Sequence, residues 1–281
     1  MTRAGGTLFV VATPIGNLGD ITLRAIDTLR GAARVVAEDT RRTRALLSHL
    51  GISGKPIDRL DAHASEADID RALARLVDHG EDLALVSDAG TPVVSDPGTA
   101  LIRKAAAAGV RVVPIPGASA VMAAVSASGL VTGGFVFLGF LPRAGEERRE
   151  AVARVRASEE AVVLFEAPFR MTALLEDLAE AMPAREAAVG RELTKVHEEF
   201  LRGTLKELAE EAKSREWLGE LTVVLGPMEG GAPEPEAVDL DARIDEELAK
   251  GRRPKEIAEA MAMATGRPRR EIYARVLARR G

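Results

Sequence analysis

Short apolar runs alternate with amphipathic segments along residues 1–115 of the chain. Four apolar runs lie in this part, at residues 7–12, 34–37, 82–87 and 111–115. Strands that alternate with helices are typical of a parallel sheet whose faces are covered by helices. The pattern therefore predicts an α/β domain with a doubly wound parallel sheet, and Asp20 is expected to cap its first helix.

The pattern changes after Pro116, where strands no longer alternate regularly with helices. Five apolar runs indicate strands in this part, at residues 135–140, 161–165, 186–193, 198–203 and 220–226. The third and fourth runs are joined by a short polar turn, so they should pair antiparallel. We expect a second α/β domain with a mixed sheet over residues 116–228.

Residues 229–238 are rich in Gly, Pro and Glu and are interpreted as a linker. Beyond it, apolar residues recur at helical spacing in three short segments. The spacing resembles a helix-turn-helix, and a plain three-helix cap fits it equally well. The sequence therefore predicts a small helical unit over residues 239–281.

Charge is distributed unevenly between the ends of the chain. Residues 250–281 carry ten basic and three acidic residues, a net charge of +7, whereas residues 1–249 carry a net charge of −12. A basic tail on an acidic body indicates a polyanionic partner, usually nucleic acid or a membrane surface. A solvated helical face is the alternative interpretation.

The chain contains no cysteine, which excludes disulfides, thiolate metal sites and a cysteine nucleophile. Its four histidines lack the spacing of a metal-binding pair: His49, His63, His79 and His197. Residues 112–142 carry no formal charge, but Pro, Gly and Ser interrupt them, so a membrane span is not predicted. We expect a cytoplasmic protein without metal or membrane association.

The densest polar segment, Ser87-Asp88-Ala89-Gly90-Thr91, follows a predicted strand. Ligands of parallel sheets bind at the carboxyl ends of the strands. Gly90 would let the backbone approach a ligand closely, and the Asp88 carboxylate suits a ribose, an ammonium or a sulfonium. The alternative is a turn that needs glycine for its geometry alone.

The two common nucleotide-binding fingerprints, GxGxxG and GxxxxGK[ST], are absent from the sequence. Further polar residues nevertheless lie at or just after the ends of predicted strands, at Asp39, Arg41, Arg42, Glu166, Arg170, Arg191, Glu192 and Lys195. These residue types are compatible with a functional cleft, and equally with helix capping and structural ion pairs.

Seven stretches together carry a resemblance to a known family. In chain order they are VATPIGNLGDITLRA, AEDTRRT, ALVSDAGTPVVSDPG, VVPIPGASA, GFLPR, FEAPFR and RELTKVHEEFLRGTL. They resemble the tetrapyrrole methylase superfamily, and within it the ribosomal small subunit methyltransferase I family. The resemblance covers residues 7–226, and the terminal unit is similar to that family's own C-terminal helical extension.

The resemblance implies two α/β domains of the tetrapyrrole methylase type that bind S-adenosyl-L-methionine (AdoMet) in the cleft between them, usually in a homodimer. It implies 2′-O-methylation of a cytidine ribose in small-subunit (16S) rRNA, with bare RNA or the assembled 30S subunit as substrate. The implied cofactor-binding residues are Pro14, Ser87, Asp88, Ala89, Gly90, Thr91, Ser119, Ala120, Phe165 and Leu225.

A ribose hydroxyl is a weak acid, so a base or a cation near its oxygen would assist the transfer. Candidates for this role are Lys195, Glu192, Asp39 and Glu166. Candidates for binding the RNA are Asn17, Arg41, Arg42, His63, Arg170, Arg191, Arg252, Arg253, Arg269 and Arg270. No residue is assigned to a metal.

Two other functions fit parts of the sequence. A small-molecule tetrapyrrole methyltransferase would use the same pocket for another substrate, although the basic tail and the TPIGNL stretch disfavour it. An RNA-binding module without catalysis is the second alternative. Aromatic residues make up only 3% of the chain, which disfavours a surface that stacks single-stranded bases.

Overall fold

The computed structural model describes residues 5–93, 98–228, 240–265 and 269–280. Contacts between Cα atoms divide the chain into two compact units, Met1–Met228 and Glu229–Gly281. The expected linker lies outside the described residues, as does Asp96, a candidate helix cap.

Five strands form a parallel sheet in the first part of the larger unit. They are β1 (Thr7–Val11), β2 (Arg34–Ala37), β3 (Ile57–Arg59), β4 (Leu83–Val86) and β5 (Arg111–Ile115). Their order is β3-β2-β4-β1-β5, and each neighbouring pair is parallel. The predicted parallel sheet is confirmed. The short strand β3 was not predicted, because Ile-Asp-Arg contains no apolar run.

Four helices cover the faces of this sheet: α1 (Leu23–Gly31), α2 (Thr40–His49), α3 (Glu66–Val77) and α4 (Thr99–Ala107). A further helix, α5 (Ala120–Ser128), follows β5. Successive strand residues point to opposite faces of a sheet. On β4, Leu83 and Leu85 pack in a core with α3 and α4, whereas Ala84 and Val86 pack with α1 and α2. Because both faces are covered, β4 is apolar at every position.

The start of α1 differs from the expectation. Thr22 is the N-cap, and its side chain accepts a hydrogen bond from the Ala25 N–H. Asp20 instead ends a short 3₁₀ helix, Leu18–Asp20, in which the Asn17 side chain accepts from the Gly19 N–H. The prediction of an Asp20 cap was wrong because Asn17 caps a separate 3₁₀ helix that ends at Asp20, and α1 begins only after Thr22.

A mixed sheet forms the second part of the larger unit. Its strands are β6 (Phe135–Phe140), β7 (Ala161–Glu166), β8 (Glu186–Arg191), β9 (Glu199–Thr204) and β10 (Leu221–Leu225). Their order is β6-β7-β10-β8-β9, in which β6 and β7 are parallel and the other pairs antiparallel. The predicted mixed sheet and its antiparallel pair, β8 with β9, are confirmed.

The two faces of this second sheet have different neighbours. Helices α6 (Gly145–Ala157), α7 (Met171–Ala181) and α8 (Leu205–Lys213) cover the face that contains Leu164 and Val223. The opposite face packs against α5, where Val163 and Val224 share a core with Ile15. Helix α5 and the loop after β1 therefore join the first sheet to the second.

The smaller unit contains the helices α9 (Leu240–Ala249), α10 (Pro254–Thr265) and α11 (Arg269–Arg280). Its core is formed by Ile244, Ile257, Ala258, Met261, Ile272 and Val276. The small helical unit predicted from the spacing of apolar residues is present. Among the described helices of the chain, none is long and apolar enough to cross a membrane.

Candidate active site

The loops that follow β1 and β4 are tied together by two backbone hydrogen bonds. The Thr13 N–H donates to the Gly90 carbonyl at 2.9 Å, and the Gly90 N–H donates to the Thr13 carbonyl at 3.0 Å. Gly90 has a φ of +80°, and a Cβ atom there would lie 3.1 Å from Cγ2 of Ile15. Glycine is required at this position both by the backbone conformation and by the close approach of Ile15.

A cavity of 340 Å³ lies on one side of this bridge. It is lined by Ile15, Ala89, Gly90, Thr91, Ser119, Ala120, Val121, Phe140, Phe165, Glu166, Ala167, Pro168, Gly219, Glu220, Leu221 and Thr222. The loops of the first sheet and the strand ends of the second both contribute to its walls. We call it the first cavity.

A second cavity, of 280 Å³, also borders the bridge. Its lining residues come from the loops after β1 and β4 and from α2: Thr13, Pro14, Leu18, Arg42, Thr43, Ala45, Leu46, Ser87 and Asp88. Thr13 lines the second cavity and Gly90 lines the first, so the two cavities share the bridged loops.

The residues predicted to bind the cofactor are divided between these places. Six of the ten line the first cavity: Ala89, Gly90, Thr91, Ser119, Ala120 and Phe165. Pro14, Ser87 and Asp88 line the second cavity instead. Leu225 is fully buried in the core of the second sheet and lines neither cavity.

Several lining residues of the first cavity were not predicted. The antiparallel register of β10 on β7 sets Leu221 opposite Glu166 and Thr222 opposite Phe165. The segment that begins at Gly219 is thereby brought beside the FEAPFR stretch. Both strands were predicted from their apolar runs, but apolar runs do not show which strands pair. The contribution of residues 219–222 to the cavity could therefore not be predicted.

The first cavity fits AdoMet in size and chemistry. Its volume is near the lower end of the range of about 300–1,000 Å³ typical of small-molecule sites. Phe140 and Phe165, whose ring centroids are 5.7 Å apart, give it an apolar wall suited to an adenine. Glu220, an acidic residue whose carboxylate pairs with Lys195, is also in the lining.

Lys195 forms an ion pair with Glu220, a residue that lines the first cavity. Its Nζ atom is 2.7 Å from Oε1 of Glu192 and 3.2 Å from Oε2 of Glu220. The Asn17 N–H donates to Oγ1 of Thr194 at 3.2 Å, so the loop after β8 is attached to the loop after β1. The TPIGNL and RELTK stretches are therefore brought together.

The backbone of this loop adopts uncommon conformations. Glu192 has a φ of +51° and Thr194 a φ of +68°, although neither is glycine. Such values are strained, above all for a β-branched residue. The Glu192 carboxylate compensates by accepting hydrogen bonds from Nζ of Lys195 and from the Glu220 N–H. Strain of this kind is often found at functional sites.

These contacts determine the ionisation of the pair. The hydrogen bond from Lys195, followed by that from the Glu220 N–H, lowers the pKa of Glu192. Burial opposes the charge on Lys195, but its hydrogen bonds to Glu192 and Glu220 outweigh burial, and the pKa of Lys195 is raised. Lys195 is therefore an ammonium cation near neutral pH, rather than the free amine that a base would need.

The other two candidates for a catalytic role have structural partners. Asp39 caps α2, and the Arg41 N–H, followed by the Arg41 side chain, lowers the pKa of Asp39. Glu166 is buried; its Oε1 accepts from the Ala167 N–H at 2.9 Å and lies 3.2 Å from Nε of Arg170.

The arginine candidates differ in how freely they reach solvent. Arg41 and Arg42 are exposed at the start of α2. The Arg170 side chain is only 15% exposed and donates to the carbonyls of Leu141 and Pro142. Arg191 donates to Oε2 of Glu199 at 3.0 Å.

The remaining RNA-binding candidates lie in exposed positions. Asn17 caps the 3₁₀ helix, and His63 lies in the loop before α3. In the smaller unit Arg252, Arg253 and Arg270 are exposed, and Arg252 pairs with Glu247 at 2.8 Å. The side chain of Arg269 lies outside what the structure describes. Among the described residues, no group of His, Asp or Glu could hold a metal ion.

Comparison with known proteins identifies the family. A family model of the tetrapyrrole (corrin/porphyrin) methylases matches residues 7–209. The chain is 41% identical over 273 residues to a protein of Halalkalibacterium halodurans named ribosomal RNA small subunit methyltransferase I, covering 95% of this chain and 93% of that protein. The resemblance proposed from the seven sequence stretches is confirmed.

Solved structures agree on the fold. The methyltransferase CobJ superposes with a TM-score of 0.59 at 21% identity, covering 79% of this chain and 94% of that chain. Uroporphyrin-III C-methyltransferase from Thermus thermophilus, complexed with S-adenyl homocysteine, gives a TM-score of 0.55 at 19% identity, covering 79% and 97%. The chain therefore belongs to the ribosomal RNA small subunit methyltransferase I family, AdoMet-dependent methyltransferases with the tetrapyrrole methylase fold.

Proposed function

We propose that this protein transfers a methyl group from AdoMet to the 2′-hydroxyl of a cytidine in small-subunit (16S) ribosomal RNA. The observation that carries the proposal is the first cavity, which is lined in part by Ala89, Gly90 and Thr91 of the SDAGTP loop and by Glu220, the partner of Lys195. The name of the Halalkalibacterium halodurans relative, ribosomal RNA small subunit methyltransferase I, supports the RNA substrate.

The first cavity is the proposed cofactor site. When bound, AdoMet supplies an electrophilic methyl group on a sulfonium. The six predicted residues that line the cavity are assigned to holding it: Ala89, Gly90, Thr91, Ser119, Ala120 and Phe165. Phe165 and Phe140 would contact the adenine, and Glu220 would face the cationic part of the molecule.

The protein's contribution to the chemistry is alignment and electrostatic stabilisation. Holding two reactants in line lowers a barrier by about 7–11 kcal/mol in well-oriented systems. Lys195 is assigned to stabilising the ribose oxygen as it loses its proton, because its ammonium is held beside a lining residue of the cavity. Glu192 and Glu220 orient that ammonium. The final proton acceptor is water or one of the neighbouring carboxylates.

The proposed RNA contacts use the exposed arginines. Arg42 lines the second cavity, Arg41 is exposed at the start of α2, and Arg252, Arg253 and Arg270 lie on the smaller unit. Guanidinium groups bind phosphates and position the RNA without selecting a base. From the family resemblance we further propose a homodimer that acts in the cytoplasm on the assembled 30S subunit.

Transfer from tritiated AdoMet to bare 16S rRNA, assembled 30S subunits and a uroporphyrin-type tetrapyrrole tests the function. We expect label in RNA, with nuclease digestion and mass spectrometry locating it on a cytidine ribose. A methylated base, or label in the tetrapyrrole alone, would contradict the proposal. Light scattering measures the oligomeric state, and a monomer at the assay concentration would contradict the homodimer.

A further inference from the structure

We propose that the second cavity receives the base of the nucleotide to be methylated, and that Asp88 selects a base with an exocyclic amino group. The inference rests on the proposed function, because it requires an RNA substrate. It adds to that function a site, separate from the cofactor cavity, that determines which nucleotide is accepted.

The position of the second cavity suits a base whose ribose reaches the cofactor. Of the hydrogen-bonded pair Thr13 and Gly90, Thr13 lines the second cavity and Gly90 lines the first, so the two cavities are adjacent at these loops. A nucleoside that placed its base in the second cavity would therefore hold its ribose at the boundary with the first. Sequence-specific proteins usually bind RNA through unpaired bases turned out of the stack, which is the form such a cavity admits.

The walls of the second cavity fit a flat base with a polar edge. Pro14, Leu18, Ala45 and Leu46 provide apolar surface for the faces of the ring. Leu18 is 41% exposed, so its side chain is accessible to a ligand in the cavity.

Two of the buried hydroxyls of this cavity, those of Thr13 and Ser87, are already engaged. Oγ1 of Thr13 donates to the Ser87 carbonyl at 3.3 Å, and Oγ of Ser87 donates to the Gly90 carbonyl at 3.4 Å. Neither hydroxyl has its proton free for an incoming ligand. Among the lining residues, Asp88 supplies the negatively charged hydrogen-bond acceptor.

The Asp88 carboxylate has one oxygen fixed and one available. Its Oδ1 accepts a hydrogen bond from the Asp39 N–H at 2.9 Å, which fixes its orientation. Its Oδ2 lies 3.6 Å from Nη1 of Arg42, beyond hydrogen-bond distance, and no closer donor is found among the described residues. The side chain is 25% exposed, so a ligand can reach this oxygen.

A carboxylate oxygen discriminates between the two pyrimidines. It accepts a hydrogen bond from the exocyclic amino group of cytosine, whereas uracil presents a carbonyl oxygen at the same position. Two acceptors in contact leave both without a donor, which is costly when water is excluded. The geometry thus favours cytidine over uridine.

Arg42 supplies a positive charge at the mouth of the second cavity, opposite in sign to that of Asp88. Its side chain is 68% exposed and sits at the outer edge of the cavity, while Asp88 lies within. A bound nucleotide would complement these charges: its anionic phosphate would lie near Arg42, and the amino group of its base near Asp88. The phosphate would draw Arg42 outward and leave Oδ2 of Asp88 to the base.

The test compares Asp88→Asn with the wild-type protein. Asparagine keeps the acceptor for the Asp39 N–H, so the loop is retained, but it replaces Oδ2 by a hydrogen-bond donor. The substrate is 16S rRNA, bare or assembled, with cytidine or uridine at the position that the wild type methylates. We expect the wild type to prefer cytidine in kcat/KM by about tenfold or more, and the variant to lose or reverse that preference.

Asp68→Asn is the matched control. Asp68 also accepts from a backbone N–H, that of Ser65, and pairs with an arginine, Arg71, but it lines neither cavity. This variant should keep the wild-type preference. Arg42→Ala should raise KM for both RNAs by the same factor, because a phosphate contact does not distinguish bases.

An unchanged preference in an active Asp88→Asn protein would overturn the site and leave the proposed function intact. A loss of AdoMet affinity in that variant, measured by calorimetry, would assign Asp88 to the cofactor and also overturn it. Absence of transfer by the wild type to either RNA would refute the proposed function, and the inference with it. Should the variant fail to fold, binding of cytidine and uridine 5′-monophosphate to the wild type by NMR makes the same comparison, and equal affinities would contradict the inference.

Discussion

The side chain of Lys195 lies across the backbone of Gly16. A Cβ atom on residue 16 would stand 2.8 Å from Cε of Lys195 and 3.0 Å from Cδ, closer than such atoms approach in proteins. The two residues belong to stretches at opposite ends of the larger unit. Glycine is thus needed after β1 so that the ammonium of Lys195 can reach Glu192 and Glu220.

Gly16→Ala should therefore act on Lys195. The added methyl group would displace the lysine stem and move Nζ from its two carboxylates. We expect kcat to fall by about 10- to 100-fold, since small misplacements of catalytic groups have effects of this size, with AdoMet affinity unchanged in calorimetry. Gly31→Ala is the control, because a Cβ atom at Gly31 meets nothing within 4 Å. Equal loss of activity in both variants would argue against the contact.

Lys195→Met tests the ammonium itself. Methionine keeps the length of the stem but removes the charge, so the developing negative charge on the ribose oxygen loses its partner. Removal of one such stabilising group typically lowers kcat by about 100-fold or more. Single-turnover rates with saturating AdoMet measure this step. A rate within twofold of the wild type would exclude Lys195 from it.

The pH dependence of transfer should show no contribution from this pair near neutrality. The pKa of Glu192 is lowered from 4.5 and that of Lys195 is raised from 10.5, so both stay charged between these values. Their mutual stabilisation is lost as the pH falls through the lowered pKa of Glu192, or rises through the raised pKa of Lys195. A rate that rises between pH 7 and 9 in the wild type and loses that rise in Lys195→Met would instead make Lys195 a base.

Ala120→Phe tests the cofactor cavity. Ala120 lines the first cavity at the start of α5, and a phenyl ring there would occupy the space assigned to AdoMet. We expect AdoMet affinity to fall by about tenfold or more, because overpacking costs about 1–3 kcal/mol. Ala127→Phe, on the exposed side of the same helix, should bind AdoMet normally. Full affinity in Ala120→Phe would place the cofactor elsewhere.

The smaller unit should contribute RNA affinity rather than chemistry. Replacing Arg252, Arg253 and Arg270 by alanine removes three exposed cations. The slope of log affinity against log salt should become shallower by about two, since each phosphate contact contributes about 0.7 for single-stranded RNA. Arg30→Ala, on α1, serves as the control. An unchanged slope in the triple variant would identify the unit as a packing element only.

Strand positions were predictable because buried strands are continuous apolar runs, as in β4 and β10. β3 was not, since Ile57-Asp58-Arg59 gains its pairing with β2 from the sheet rather than from its own composition. The short turn between β8 and β9 predicted an antiparallel pair and hence a mixed second sheet. Nothing in the sequence pattern predicted that β10 would lie between β7 and β8.

The site was predictable as a set of loops but not in its side-chain directions. The family motif predicts that Asp88 binds the cofactor, but it does not predict that the Asp88 carboxylate accepts from the Asp39 N–H or that Asp88 lines the second cavity. Leu225 lies between two neighbouring strands, which bury it completely. Directions of this kind depend on contacts between distant segments, which spacing along the chain does not contain.

The strand order of the second sheet has a consequence for how the protein is synthesised. β10 is the last strand made, yet it lies in the middle, between β7 and β8. All strands of the first sheet have been made once residue 115 is translated, whereas the facing edges of β7 and β8 stay unpaired until residues 221–225 emerge. Open edges of this kind template aggregation. A chain that ends before residue 221 would therefore have a complete first sheet and an aggregation-prone second sheet.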